Sequence, residues 1–339
     1  MIRSQTLPAR RSHRHPMRLR LTLLAAMAAL LASVPLWASN GNQRLLVEML
    51  TYLALAQLWN LMAGYAGLIS IGQQAFVGLG GYALFALAML AGVPVLVALP
   101  LAGLLAALIA WPTALVAFRL SGPHFAIGTW VIAEVFRLTV AQIGSLGGGS
   151  GISLPVTIAK TIADSRETRD DLTYWISLAT CLAVIGGIWA LMRSRLGLGL
   201  AAIRDDEGAA ESAGVVTRRL KMTVYVVTAG VTGFLGALIF LQKLRISPEA
   251  AFNVTDWTVL VIFMVVIGGI GSLEGPLIGC LLFFLLREQF ADLGTWYMVG
   301  LGAVSSVVIL MAPTGLWGQI APRTRLRLFP VRRSAPRVA

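Results

Sequence analysis

Apolar stretches of membrane length follow one another along nearly the whole 339-residue chain, divided by short polar connections. A helix needs roughly 20 mostly apolar residues to cross a bilayer, so this spacing constrains the fold more than any other feature. Ten such stretches can be read, over residues 19–38, 45–63, 71–91, 95–118, 125–143, 174–192, 222–241, 257–270, 276–290 and 296–311. Charged residues make up only 12% of the chain, against about 25% in soluble domains. The expected fold is all-α: a polytopic integral membrane protein of about ten transmembrane helices. A β-barrel would instead alternate apolar and polar residues in segments of about ten.

The formal net charge is +12, unevenly placed. Arg3, Arg10, Arg11, Arg14, Arg18 and Arg20 precede the first apolar run, and Arg323, Arg325, Arg327, Arg332, Arg333 and Arg337 close the chain, with no acid in either set. Basic tails can bind nucleic acid, but in a membrane protein they mark cytoplasmic flanks, so no nucleic-acid partner is expected. Residues 1–18 then form a basic cytoplasmic extension, 19–311 the transmembrane domain and 312–339 a basic cytoplasmic tail. Six spans bring the chain back inside at 193–221, which holds Arg193, Arg195, Arg204, Arg218, Arg219 and Lys221. The longest outside segment, 144–173, balances Lys160, Arg166 and Arg169 against Asp164, Glu167, Asp170 and Asp171 and has no basic excess. Residues 19–38 follow an arginine-rich stretch as a signal peptide would. The run is long for that role and "LWASN" is a poor cleavage site, so it reads as an uncleaved first helix. Met17 offers a second start besides Met1.

Catalytic chemistry finds little to work with. There are only three histidines, too few for a histidine metal cluster, and the two cysteines, Cys181 and Cys280, lie inside apolar spans. No G-x-x-x-x-G-K-[ST] phosphate loop occurs, so ATP is not bound by that route. "GGSG" at 148–151 resembles the surroundings of an intramembrane serine nucleophile. That chemistry needs a histidine base, and His124 falls at the other end of the preceding span. No catalytic residue, metal or cofactor is therefore assigned to the chain. Glu134 and Arg137 stand three apart on one helical face; a lone charge at mid-membrane costs about 2.5–3.5 kcal/mol, so such groups pair or face water. Glu48 and Glu288 lie near span ends, within reach of the interface.

Two glycine-rich segments interrupt the apolar pattern. Residues 60–87, "NLMAGYAGLISIGQQAFVGLGGYALFAL", suggest a helix broken near 64–72, with Ser70, Gly72, Gln73 and Gln74 on a polar substrate path; close packing through small residues is the alternative. Residues 265–280, "VVIGGIGSLEGPLIGC", suggest a tight turn between spans, with Gly268, Gly269, Gly271, Gly275 and Pro276 serving the helix break and packing. Glu274 in that turn could meet a partner.

The most charged stretch is "AIRDDEGAAESAGVVTRRLKM", residues 202–222, set between two apolar spans. Residues 204–214 read as one short amphipathic helix stopped by Gly214, with Ala202, Ile203, Ala209, Ala210 and Ala213 as its small apolar contacts. Such a helix at the membrane surface is shaped to enter another protein's groove.

Four segments together resemble the permease subunits of branched-chain amino acid ABC importers, in particular the Liv-type M subunit. They are "GYAGLISIGQQAFVGLGGY", "HFAIGTWVIAEVFR" followed by "GGGSGI", "IRDDEGAAESAGVVTRRLKM", and "ISPEAAFNVTDWTVLVIFMVVIGGIGSLEGPLIG". In order they span most of residues 60–279. Gln73 stands where many members carry histidine, "GGY" replaces "GAY", and the arginine-rich ends are additional. The resemblance implies an ABC importer permease fold in the bacterial inner membrane and a second homologous permease that shares the translocation path. It also implies two cytoplasmic ATP-binding subunits that hydrolyse the ATP and a periplasmic substrate-binding protein. Arg204, Asp205, Glu207, Glu211 and Gly214 would couple to the ATPase. Urea, short-chain amide and aromatic-compound importers share the scaffold, so the substrate stays open. The rival reading is a self-sufficient secondary transporter or channel, for which Glu134 with Arg137 would be the mid-span ion site, a poor one because acid and base already pair. A membrane-bound enzyme lacks any nucleophile–base or metal constellation.

Overall fold

The computed structural model describes residues 29–163, 165–290, 296–312 and 314–324. It divides into two units, Met1–Ala38 and Ser39–Ala339. The basic extension 1–18 and most of the predicted span 19–38 lie outside the described residues. The described end of the first unit is helical to residue 33 and closes in a 3-10 turn, Val34–Leu36.

In the second unit the chain runs α1 Asn40–Asn60, α2 Gln73–Met89, α3 Val95–Ala117, α4 Pro123–Ala141, β1 Ile152–Ser153, α5 Val156–Lys160, α6 Arg166–Arg193, α7 Arg195–Asp205 and α8 Glu207–Ser212. It continues through α9 Thr217–Lys243, β2 Arg245–Ile246, α10 Pro248–Ala251, α11 Leu260–Gly268, α12 Glu274–Phe290, α13 Trp296–Met311 and α14 Gly315–Thr324. π-helical turns extend α1 over Leu61–Tyr65 and lead into α11 over Thr255–Val259. Among the described residues, six segments are long and apolar enough to cross a bilayer: Asn40–Tyr65, Val95–Ala117, Pro123–Ala141, Arg166–Arg193, Thr217–Lys243 and Pro248–Gly268. The shorter helices α2, α12 and α13 cover three further predicted spans.

Small residues let the helices approach. α9 packs most extensively against α3 and α2. A Cβ on Gly80 would fall 1.9 Å from the carbonyl oxygen of Gly233, and one on Gly236 2.1 Å from that of Val77. On the other side, α1 packs on α6, α11 and α12. A stacked Tyr52–Trp257 pair, with ring centres 5.7 Å apart, and the neighbouring Phe283 and Phe284 fill that interface.

Two boundaries differ from the sequence reading. α6 starts at Arg166, not near Tyr174, because Ser165 caps it by accepting from the Thr168 amide and because Asp170 is paired with Arg44 at 2.5 Å. The segment read as an outside loop over 144–173 therefore ends eight residues earlier; it is built of 3-10 turns, α5 and the two-residue β1–β2 pairing. The tail read as beginning at 312 opens with α14, which packs on α12 and α11.

Glu134 and Arg137 form the pair that their spacing predicts, with Arg137 Nε 2.9 Å from Glu134 Oε1, and Arg137 also reaches Glu249 at 3.4 Å. Glu48 pairs with Arg287 at 2.7 Å.

Candidate functional site

After the π-turn the chain doubles back along α1. The Leu68 amide donates to the Met62 carbonyl, the Trp59 indole to that of Ser70, and the Gln73 side chain to that of Leu55. From Tyr65 back to Leu55 is about 15 Å along a helix, near half the hydrocarbon thickness of a bilayer. α2 thus starts deep in the bundle, preceded by non-helical backbone that only a buried position tolerates. Side chains satisfy that backbone: Ser70 Oγ accepts from the Gly72 amide, Thr129 Oγ1 from Ile71 and Thr258 Oγ1 from Gln74. Ser70, Gly72, Gln73 and Gln74 are all buried. A Cβ on Gly72 would lie 2.5 Å from the Thr129 carbonyl oxygen. The four residues line neither of the cavities described below.

The second glycine-rich segment is a turn held by α1. Asn60 accepts from the Gly271 amide and donates to the Ser272 carbonyl, both at 2.8 Å, while Gln57 donates to Leu273 at 2.7 Å. Gly269 and Gly271 adopt φ of 125° and 75°. Gly268 and Gly275 pack α11 on α12, since a Cβ on Gly268 would fall 1.9 Å from the Gly275 carbonyl oxygen. Pro276 sits in the first turn of α12, where its missing N–H costs no intrahelical bond. Glu274, which the sequence offers to a partner, is buried at 6% exposure.

The charged loop holds two helices where the sequence suggested one over 204–214. α7 ends at Asp205; Asp206 has extended backbone angles and caps α8 by accepting from the Ala209 amide at 3.0 Å. The adjacent acids allow this, because an aspartate side chain competes with the helix for backbone donors. Gly214 ends α8 at φ 86°, with Val215 N bonded to Ala210 O and Gly214 N to Glu211 O, the paired bonds of a Schellman stop. Ile203 and Ala210 are buried as expected, whereas Ala209 and Ala213 are exposed. Glu207 accepts from Lys221 Nζ at 2.6 Å and Glu211 from Thr217 Oγ1 at 2.5 Å, which ties α8 to the start of α9. Arg204 pairs with its neighbour Asp205 at 2.9 Å. Its Cα lies 3.9 Å from a Cβ built on Gly67, and its Nη1 3.6 Å from one on Gly271. One arginine of the charged loop therefore lies beside both backbone breaks.

Two cavities open at opposite ends of α1 and α9. One, of about 590 Å³, lies between Glu207, Glu211 and Lys221 of the charged loop, residues 67–69, and the 118–123 turn. The other, of about 930 Å³, is lined by Arg44, Glu48, Asp170, Lys243, Asp256 and Arg287 above an aromatic floor. Lys243 and Asp256 played no part in the sequence reading. The apolar pattern starts this span at Trp257, whereas the helical segment reaches back through the π-turn to Pro248, which brings Asp256 inside it.

The pattern of the family described as "Branched-chain amino acid transport system / permease component" matches residues 42–313. The high-affinity branched-chain amino acid transport system permease protein LivM of Escherichia coli is 27% identical over 326 residues, covering 90% of this chain and 76% of the relative. LivM of Salmonella typhimurium gives the same identity and coverage. A probable branched-chain amino acid transport permease protein LivM of Methanocaldococcus jannaschii is 26% identical over 170 residues, half of this chain and 48% of the relative. No solved structure matches.

Proposed function

The chain belongs to the branched-chain amino acid transport system permease family, and from that premise we propose that it is the membrane subunit of an ATP-driven importer of branched-chain amino acids. It works beside a second homologous permease, two cytoplasmic ATP-binding subunits and a periplasmic binding protein. The multi-pass chain sits in the inner membrane with both termini and the 193–221 loop in the cytoplasm. It carries out no covalent chemistry and binds no cofactor, since ATP is hydrolysed by its partners.

The observation that carries this reading is α8. A capped, glycine-stopped helix tied to α9 by two side-chain contacts presents Gly208, Ala209 and Ser212 outward. Small residues on a rigid, exposed helix suit insertion into a partner's groove. Arg204, in the last turn of α7 just before α8, lies beside Gly67 and Gly271, so a push on α8 has a short path to both backbone breaks. ATP binding drives the permease between outward and inward states only if the ATPases bind the two states unequally. Arg204, Asp205, Glu207, Glu211 and Gly214 serve that coupling, and Ser70, Gly72, Gln73 and Gln74 border the substrate path.

Co-expression with the ATPases and binding protein tests the assignment. The chain should co-purify with both ATPases and support ATP-dependent leucine uptake into vesicles. Uptake that proceeds without the ATPases would instead favour a self-sufficient transporter.

A further inference from the structure

The larger cavity opens on the side away from α8, and its charges are not all matched. Around its rim Arg44 pairs with Asp170 and Arg287 with Glu48. Asp256 sits on the π-turn Thr255–Val259 within the span Pro248–Gly268, half-buried, its amide capped by Asn253. Among the described residues its carboxylate has no hydrogen-bond or ion-pair partner. It feels the charges of Lys243, Glu48 and Arg287 without touching them. The Lys243 ammonium, also without a carboxylate partner among the described residues, lies 4.9 Å from the centre of the Trp257 ring. Tyr52, Leu260 and Phe283 complete the apolar part of the lining.

Three features point to a ligand. An unpaired acid inside a membrane span is costly and is tolerated where it meets water, a partner or a substrate. π-turns widen a helix locally and recur at functional positions. The volume of about 930 Å³ is within the range of small-molecule pockets. Asp256, Lys243 and the Trp257 ring beside that ammonium form the complement of a molecule with an ammonium, a carboxylate and an aliphatic chain, and Arg166 and Arg169 add further positive charge to the lining.

We propose that this cavity is a binding site for a zwitterionic aliphatic α-amino acid on its way into the bundle. Asp256 receives the ammonium, Lys243 the carboxylate, and Tyr52, Trp257 and Phe283 the side chain. The choice of leucine as probe rests on the importer reading; the charge complement does not.

The test uses the full chain in lipid nanodiscs, titrated calorimetrically with L-leucine, isocaproate, which lacks the ammonium, and isoamylamine, which lacks the carboxylate. Leucine should bind saturably, and each analogue at least ten-fold more weakly. Asp256→Asn should weaken leucine at least ten-fold and leave isocaproate unchanged, with binding recovered in Asp256→Glu. Lys243→Met should weaken leucine and isocaproate and leave isoamylamine unchanged. Size-exclusion profile and melting temperature confirm that each variant is folded; if Asp256→Asn is not, Lys243→Met and the analogue series decide. Equal binding of leucine and isocaproate, undiminished leucine binding in both variants, or no saturable leucine binding would each overturn the proposal. The last two outcomes include the case in which these charges serve only to dock another protein. Leucine uptake by cells carrying the whole importer separates the two readings. Normal uptake with Asp256→Asn overturns the cavity site alone, whereas no uptake with the unaltered chain overturns the importer assignment.

Discussion

Asn60 and Gly271, 211 residues apart, are joined by a 2.8 Å hydrogen bond from the glycine amide to the asparagine side chain. The same side chain donates to Ser272, so one residue of α1 closes the turn between α11 and α12 from both sides. Asn60 is fully buried. Its replacement by alanine leaves the Gly271 amide without its partner in a site with no room for bulk water. Buried donors left unmade cost about 1–3 kcal/mol, with values near the lower end common in membrane bundles. Asn60→Ala should lower the melting temperature of the purified chain by several degrees, whereas exposed Ser212→Ala should leave it unchanged. Equal melting would mean that the turn is held by glycine packing alone.

Impermeant thiol labelling tests the orientation. Cys181 and Cys280 are buried and free, so neither should contribute background. Ser165 and Ser212 are both exposed and lie toward opposite ends of the spans. Cysteine at position 165 should label in intact cells, and cysteine at 212 only after the membrane is opened. Labelling of both in intact cells would contradict a cytoplasmic 193–221 loop.

Gly72 and Gln73 separate packing from transport. A leucine at Gly72 meets the Thr129 backbone at 2.5 Å from its first carbon, so Gly72→Leu should reduce the amount of folded chain. Gln73→Leu keeps the volume and removes one 3.1 Å bond to the Leu55 carbonyl, along with an Oε1 that has no partner. Membrane levels of Gln73→Leu should therefore match the unaltered chain while uptake falls at least ten-fold. Unchanged uptake would make this segment a packing surface.

The spans were legible because membrane length and composition leave few alternatives. α3, over Val95–Ala117, agrees with its reading over 95–118 almost to the residue. Where capping and ion pairing decide, the apolar pattern misleads: Ser165 and the Arg44–Asp170 pair carry α6 well into a stretch that reads as charged loop. The break at Asp206 had a local signal, an aspartate three residues ahead of a donor amide, hidden by the helix-forming residues around it. The pairing of Asn60 with Gly271 had no local signal at all, since it depends on how α1 meets α11 and α12. Asp256 was overlooked because a π-turn breaks the 3.6-residue period by which a helix is extended backward.

The contacts of α8 determine how its proposed coupling role should be tested. Reversing Glu207 and Glu211 would place new cations beside Lys221 and Arg218, so α8 would leave α9 before any partner were involved. Exposed pairs contribute about 1 kcal/mol or less, and the bundle should survive, yet lost uptake would not identify the partner surface. Ala209 gives a cleaner probe, because it is exposed and makes none of the contacts that tie α8 to α9. Ala209→Arg should leave membrane level and melting temperature unchanged, weaken ATPase co-purification at least ten-fold and abolish uptake. Gly214→Val acts by another route: a β-branched residue at φ 86° costs about 1–2 kcal/mol, enough to unwind the stop without unfolding the rest of the bundle. It should reduce co-purification less than Ala209→Arg does, and Gly214→Asn, which tolerates that backbone, should restore it. If Ala209→Arg retains full co-purification and uptake, α8 is an ordinary solvated helix, and the ATPases must dock elsewhere on this subunit.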